Sequence, residues 1–218
     1  MLVLLPPSEG KTAPRRGRPV DLAALSHPQL TAAREAVLRA LPDGDALLRA
    51  PAAKASAVYT GVLFGRLGLA ELPLRARRRV LIFSGLWGVL SPDDRIPAYK
   101  LPIDARLPGI GGLAAHWREP LRDALPGDAL IVDMRSGGYA AAWRPRGGLA
   151  LAVRAFVERD GRRTPVSHMV KATRGDVARI VLDASPPPRT PEAVAELVAA
   201  TGREVELSPG TLDVIEQG

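Results

Sequence analysis

Val80-Leu81-Ile82-Phe83-Ser84-Gly85-Leu86-Trp87-Gly88-Val89-Leu90-Ser91-Pro92 carries the first decision about the fold. Its four leading apolar residues read as a buried strand. Gly85 and Gly88, three residues apart, permit a tight turn and let backbone N–H groups face outward. The chain then changes character: Pro92 and Pro97 bracket Asp93, Asp94 and Arg95, and Tyr99 and Lys100 follow. A buried strand that runs directly into rigid backbone bearing ionisable groups is where sites are commonly built.

The same arrangement occurs twice more. Leu2-Val3-Leu4-Leu5 reads as a first buried strand, ended by Pro6-Pro7 and followed by Ser8-Glu9-Gly10-Lys11-Thr12. The last three residues resemble the end of a phosphate-binding P-loop. That motif needs a glycine where this chain has Leu5, and Pro6 and Pro7 bring no N–H groups to cradle phosphate. Lys11 is read instead as an anion contact at a strand end. Ala129-Leu130-Ile131-Val132 is a third apolar strand, followed by Asp133-Met134-Arg135-Ser136-Gly137-Gly138-Tyr139. Strand ends that converge on one rim are the expected ligand position in α/β proteins.

Helical patterns lie between these strands. Ser26-His27-Pro28 reads as a helix start, and Leu30, Ala33, Val37, Leu38 and Leu41 repeat at helical spacing until Pro42-Asp43-Gly44. A second helical passage over residues 51–67 is interrupted by Tyr59-Thr60-Gly61, so Tyr59 is either a core aromatic with a satisfied hydroxyl or a site residue. Gly111-Gly112 leads into a helix with Leu113, Trp117, Leu121 and Leu125 on one face. Arg159-Asp160-Gly161-Arg162 is a hairpin signal between strands read over Leu149 to Glu158 and Arg163 to His168. A helix beginning near Lys171 continues to about Ala184, with Lys171 and Arg174 on one face. After Pro186-Pro187-Pro188, a helix over residues 191–200 precedes an antiparallel pair of strands over residues 203–207 and 211–216. The predicted class is α/β, in one domain spanning residues 1–218.

The composition narrows the function. With 46% apolar and 24% charged residues, the 218-residue chain is globular in character, and only 4% aromatics leave an aliphatic core. No cysteine is present, which excludes disulfide and thiolate chemistry. The first residues lack the pattern of a signal peptide, and Leu2 to Leu5 is too short to cross a membrane. A cytoplasmic protein is expected. The net charge of +7, partly concentrated in Arg15-Arg16-Gly17-Arg18 and Arg75-Ala76-Arg77-Arg78-Arg79, favours polyanionic partners.

Metal ligation has no support in spacing: three histidines, none paired as H-x-x-x-H, and no metal or other cofactor is expected. Asp93, Asp94 and Asp133 have carboxylates without a ligand motif. Ser136, His168 and Asp133 lack the G-x-S-x-G context of a hydrolase triad. What recurs is a set of cations, hydroxyls and glycines at element ends. The DNA- or anion-binding candidates are Lys11, Gly85, Gly88, Arg95, Tyr99, Lys100, Ser136, Lys171 and Arg174. Were the site catalytic, its groups would come from Lys11, Tyr59, Asp94 and Asp133. Such a set suits charge-assisted hydrogen bonds to phosphate or another anion.

Five ordered blocks resemble the YaaA family of peroxide-stress proteins, in a divergent branch with a Pro-Pro-Ser-Glu-Gly-Lys first motif. They are residues 4–12, Val58-Tyr59-Thr60-Gly61, residues 84–92, Pro97-Ala98-Tyr99-Lys100-Leu101 and Lys171-Ala172-Thr173-Arg174-Gly175. The resemblance implies an α/β fold of unusual mixed-sheet architecture with a helix-hairpin-helix-like element, DNA binding, and a role in limiting peroxide damage. Carried over by position, the Gly85 to Gly88 turn would be the hairpin, and its N–H groups would bond phosphate without reading sequence. The competing expectation is an enzyme acting on a nucleotide, nucleobase or other anionic small molecule in a pocket lined by Lys, Arg and Tyr.

Overall fold

The computed structural model describes residues 1–125, 129–135, 137–145, 149–160, 162–164 and 167–217. In chain order the elements begin with β1 (Leu2–Leu5), α1 (Thr31–Ala40), α2 (Gly44–Arg49), β2 (Ala53–Lys54), α3 (Ala55–Val58), α4 (Val62–Leu67) and α5 (Leu74–Arg77). Then come β3 (Val80–Ser84), β4 (Gly88–Leu90), β5 (Arg95–Ile96), β6 (Arg106–Leu107), β7 (Gly111–Gly112) and α6 (Leu113–Ala124). The chain finishes with β8 (Ile131–Asp133), α7 (Gly137–Ala142), β9 (Ala150–Arg159), β10 (Arg162–Thr164), α8 (Ser167–Asp183), α9 (Pro191–Ala199), β11 (Glu204–Ser208) and β12 (Thr211–Gln217).

The main sheet runs β11-β12-β9-β8-β1-β3-β4, with β10 also paired to β9. β1 lies at its heart, parallel to β3 on one side (Val3 opposite Val80) and parallel to β8 on the other (Val3 opposite Val132). Val3, Leu4 and Leu5 are fully buried, as are all five residues of β3 at 7% exposure or less. Each such side chain removed from water contributes roughly 1.5–3 kcal/mol, which is why both strands read as unbroken apolar runs. β8 and β9 continue the parallel order, whereas β4 and β11 pair antiparallel at the edges. The mixed α/β sheet is as expected. The predicted pairing of the last two strands is present, and β12 also lies parallel to β9.

Because β3 and β8 both follow β1 in the chain yet lie on opposite sides of it, the connections diverge from β1. A crevice at the carboxyl ends of the strands is the consequence. The helices fall into two packed sets: α4 lies against α8 and α8 against β9, while α6 packs on α7 and β4. The interruption read at Tyr59-Thr60-Gly61 separates α3 from α4. There Lys11 forms a β-bridge with Tyr59, and the N–H of Thr12 donates to the carbonyl of Val58.

Two local expectations change. Ser26 caps no helix. Its N–H and hydroxyl both donate to Asp94 (2.9 and 2.8 Å), and the helix starts later, through a 3-10 turn at Pro28–Leu30. The Gly85–Gly88 turn joins two strands, so the hairpin there is a β-hairpin and not the centre of a helix-hairpin-helix. Nor do its N–H groups face outward: those of Leu86 and Trp87 donate to the Ser84 hydroxyl (3.2 and 2.9 Å), and residues 81–90 are all buried. The glycines are needed for space. A Cβ on Gly88 (φ +72°) would stand 2.7 Å from the Trp117 ring, and one on Gly85 would stand 2.5 Å from the carbonyl oxygen of Leu101. The Trp117 indole donates to the Gly85 carbonyl at 2.8 Å.

Arg34, on the apolar face of α1, holds this hairpin from the other side. It is fully buried and donates to the carbonyls of Trp87 (3.1 Å), Val89 (3.0 Å) and Ser26 (2.7 Å). Burial brings its pKa down to about 10, opposed by the nearby Asp94 carboxylate, so the guanidinium stays charged at neutral pH. Buried carbonyls left without a donor cost about 1–3 kcal/mol each. Replacing Arg34 by Met, which fills similar volume, is therefore expected to destabilise the protein by roughly 3 kcal/mol or more. The urea midpoint checks this, and a loss below about 1 kcal/mol would show that the carbonyls find other partners.

Candidate functional site

β1, β3 and β8 end side by side, and the segments leaving them build the site. From β1, Pro6-Pro7 directs the chain away from the sheet into Ser8-Glu9-Gly10-Lys11. The Ser8 hydroxyl donates to the carbonyl of Gly10 and accepts from the N–H of Thr60 at 3.1 Å, which closes the turn. The Lys11 ammonium donates to the Ser8 carbonyl at 2.7 Å and lies 4.5 Å from the ring centre of Tyr99 and 5.5 Å from that of Tyr59. Aromatic faces attract such a cation. No carboxylate among the described residues lies within 4.0 Å of it.

Beneath Lys11 lies a chain of hydroxyls. Tyr59 and Tyr99 share a hydrogen bond of 2.7 Å, and Tyr99 and Ser84 share one of 2.6 Å. Burial pushes the Tyr99 phenol up to about 12, with the Ser84 and Tyr59 hydrogen bonds opposing. Burial, reinforced by Tyr99, raises Tyr59 well above the usual tyrosine range, and burial also raises Tyr139. All three phenols are neutral donors at physiological pH. Tyr59 thus resolves as a core aromatic with a satisfied hydroxyl, stacked on Phe64, that also forms the floor under Lys11.

From β8 come Asp133 and Arg135. The Arg135 guanidinium is buried and grips Asp133 through two hydrogen bonds (2.8 and 2.7 Å), and its own N–H donates to the same carboxylate at 2.9 Å. It also lies 4.1 Å over the Phe83 ring. Across the rim, Lys171 of α8 pairs with Glu9 at 2.9 Å and holds the Glu9 carboxyl below its usual range. Pro6 to Gly10, Thr60 to Phe64 and Lys171 enclose a cleft of about 220 Å³. A second, larger cleft of about 350 Å³ is lined by Arg118, Arg122, Ala141, Trp143 and Arg144, where α6 meets the end of α7.

Over this geometry, the comparison with known proteins is decisive about kinship. The sequence profile described as Peroxide stress protein YaaA matches residues 1–201. The chain belongs to the YaaA family. It is 42% identical to a UPF0246 protein of Streptomyces coelicolor, across 99% of this chain and 98% of that relative. It is 36% identical to a UPF0246 protein of Corynebacterium efficiens, with the same coverage. Identity to a UPF0246 protein of Corynebacterium glutamicum is 34%, across 96% of each. The blocks that carry the resemblance are those at the rim of this YaaA fold.

The sequence-derived candidates separate into groups. Lys11, Tyr59 and Tyr99 meet, and Lys171 joins them through Glu9. Arg174 is directed inward, its Nε donating to the carbonyl of Val153 at 3.0 Å, and burial lowers its pKa against the opposing field of Asp133. Arg95 is tied to the carbonyl of Ala52 at 2.7 Å, and Lys100 is exposed. Gly85 and Gly88 lie in the buried hairpin. Ser136 lies outside the described residues. The two acids are occupied: Asp94 accepts from Ser26 and from the N–H of Ser91, and Asp133 from Arg135. A carboxylate committed to such donors is a structural anchor. Among the described residues, no group of three or more His, Asp or Glu is arranged to hold a metal.

Sequence reading missed Arg34, Arg135 and the Arg118–Arg122–Arg144 cleft. In a chain with 30 basic residues, no local signal distinguishes an arginine that donates to buried carbonyls from a solvated one. Ser84 was within the quoted stretch, but its acceptance of two N–H groups is a product of the turn.

Burial lowers the Lys11 pKa from 10.5 to about 8, with Glu9 opposing, and Tyr59 and Tyr99 present their faces. Between those two values the unfolded chain binds the proton that the folded chain has released. Stability therefore rises with pH from about 8, until the raised tyrosines reverse the trend above about pH 10. Relative to Lys11→Met, wild type is expected to gain stability on the order of 1 kcal/mol between pH 7.5 and 9.5, after allowance for screening of the exposed part of the side chain. Parallel profiles for the two proteins in calorimetry would contradict the assignment.

Proposed function

We propose that this YaaA-family protein acts in the cytoplasm in defence against peroxide by binding DNA non-specifically and shielding it from oxidative damage. The observation that carries the reading is the cleft in which Arg118, Arg122 and Arg144 converge beside Trp143. All three arginines are exposed. Arg122 shares its charge with Glu119 and Asp123, whereas Arg118 and Arg144 have no carboxylate within 4.0 Å among the described residues. Unpaired guanidinium groups on an open, concave surface suit a phosphodiester backbone, whose geometry they match and whose counterions they displace. Arg15, Arg16 and Arg18 are also exposed, with no carboxylate partner among the described residues, and add to the positive charge. Other arginines are ion-paired in both halves of the chain, among them Arg66, Arg77, Arg154, Arg163 and Arg203. The absence of any described helix long and apolar enough to span a membrane is compatible with this reading.

The route to phosphate differs from the one expected from sequence, since the N–H groups of the Gly85–Gly88 turn are occupied inside the fold. Side-chain charge is the contact. Fluorescence anisotropy with a short duplex tests this between 50 and 200 mM salt. Affinity is expected to fall linearly on a log–log scale and to vary little between scrambled sequences. In the Arg118→Ala/Arg144→Ala double variant the slope is expected to be shallower by about 2, near one per lost phosphate contact. The same variant should protect supercoiled plasmid less well from nicking by ferrous iron and peroxide. Binding that is absent at low salt, or insensitive to salt, overturns the reading.

A further inference from the structure

The cleft at the carboxyl end of β1 is built differently from the arginine cleft. Only four of the chain's basic residues are lysines; Lys171 lines this opening, and Lys11 follows directly on the lining residue Gly10, its ammonium bonded to the carbonyl of Ser8, another lining residue. Between them projects Glu9, whose carboxylate bonds the Lys171 ammonium at 2.9 Å and lies in the field of Lys11. The Glu9 side chain is 89% exposed and that of Lys171 is 44% exposed, so their pairing is screened and weakly held. Lys11, by contrast, is held rigidly: its backbone is bridged to Tyr59 and its ammonium is fixed to the Ser8 carbonyl. Two of its three donors find only aromatic faces among the described residues.

We propose that this cleft binds a phosphate monoester between Lys11 and Lys171, and that Glu9 occupies the site as an internal carboxylate that the ligand displaces. The charge count favours a dianion. With Glu9 in place the two ammonium groups face one negative charge, and one cation lacks a counterion. A phosphate monoester near −2 compensates both, with oxygens enough for each ammonium. The cleft of about 220 Å³ accommodates a phosphate group, and the remainder of a larger ligand extends toward solvent. No bond is made or broken in this step: one carboxylate–ammonium contact is exchanged for phosphate–ammonium contacts.

The site is distinct from the arginine cleft, so the two readings fail separately. Calorimetric titration with inorganic phosphate and with adenosine monophosphate, in a chloride buffer of low ionic strength, tests it. Glu9→Gln removes the internal competitor and is expected to bind either probe 3- to 10-fold more tightly than wild type. Lys11→Met and Lys171→Met are each expected to bind at least 10-fold more weakly, and Arg118→Ala/Arg144→Ala to bind phosphate as wild type does. Chemical-shift changes on phosphate addition should centre on the amides of Gly10 and Gly61. A tighter complex with adenosine monophosphate assigns the ligand to nucleotides, and equal affinity assigns it to free phosphate. Because Glu9 is exposed, its substitution leaves the fold intact. An unchanged Glu9→Gln affinity, or acetate binding as tightly as phosphate, overturns the proposal whatever the outcome for DNA.

Discussion

The constraint on which the structure rests is the position of β1: four residues, parallel to neighbours on both sides, in the middle of the main sheet. A strand so placed has no solvated face, which is why it contains only Leu and Val and why Pro6 can follow it immediately. Parallel pairing on both sides also brings the carboxyl ends of β1, β3 and β8 to one rim. The Lys11 turn, the Ser84 corner and the Asp133–Arg135 clamp are neighbours for that reason, although they lie far apart in the chain.

Polar groups inside the fold are used mainly to hold backbone. Arg34 satisfies carbonyls of the β3–β4 hairpin, Ser84 accepts that hairpin's N–H groups, and Asp94 fastens the chain entering α1. Each is a charged or hydroxyl group at a point where irregular backbone is buried and unable to reach water. Groups with unused capacity lie nearer the surface: Lys11 over its tyrosines, Lys171 paired with the exposed Glu9, and the arginines around Trp143.

Of the blocks that carry the YaaA resemblance, the one with the glycine turn sits differently from its reading in sequence. The five blocks contribute the Ser8–Lys11 turn, Tyr59, the hairpin, Tyr99 and Lys171, and four of these meet around Lys11. The hairpin was read as an exposed phosphate-binding element because two glycines three residues apart signal a turn and nothing about its burial. Trp117, on a helix nearly thirty residues further on, fills the space against Gly88 and removes the turn from solvent.

By itself, the sequence determined the buried strands β1, β3 and β8 and the helices α1, α6 and α9, since periodicity and the Pro and Gly punctuation are local properties; it did not mark α7, nor the start of α8 at Ser167 inside a stretch read as strand. It also determined the basic character of the chain and the YaaA kinship, carried by ordered motifs. Tertiary structure alone decided which charges are free. Arg34 and Arg118 are indistinguishable as letters, each in an amphipathic helix of similar composition. One is directed into the sheet, where carbonyls surround it, and the other into an open cleft. Partner choice for a long charged side chain depends on contacts distant in sequence, and a linear pattern does not encode them.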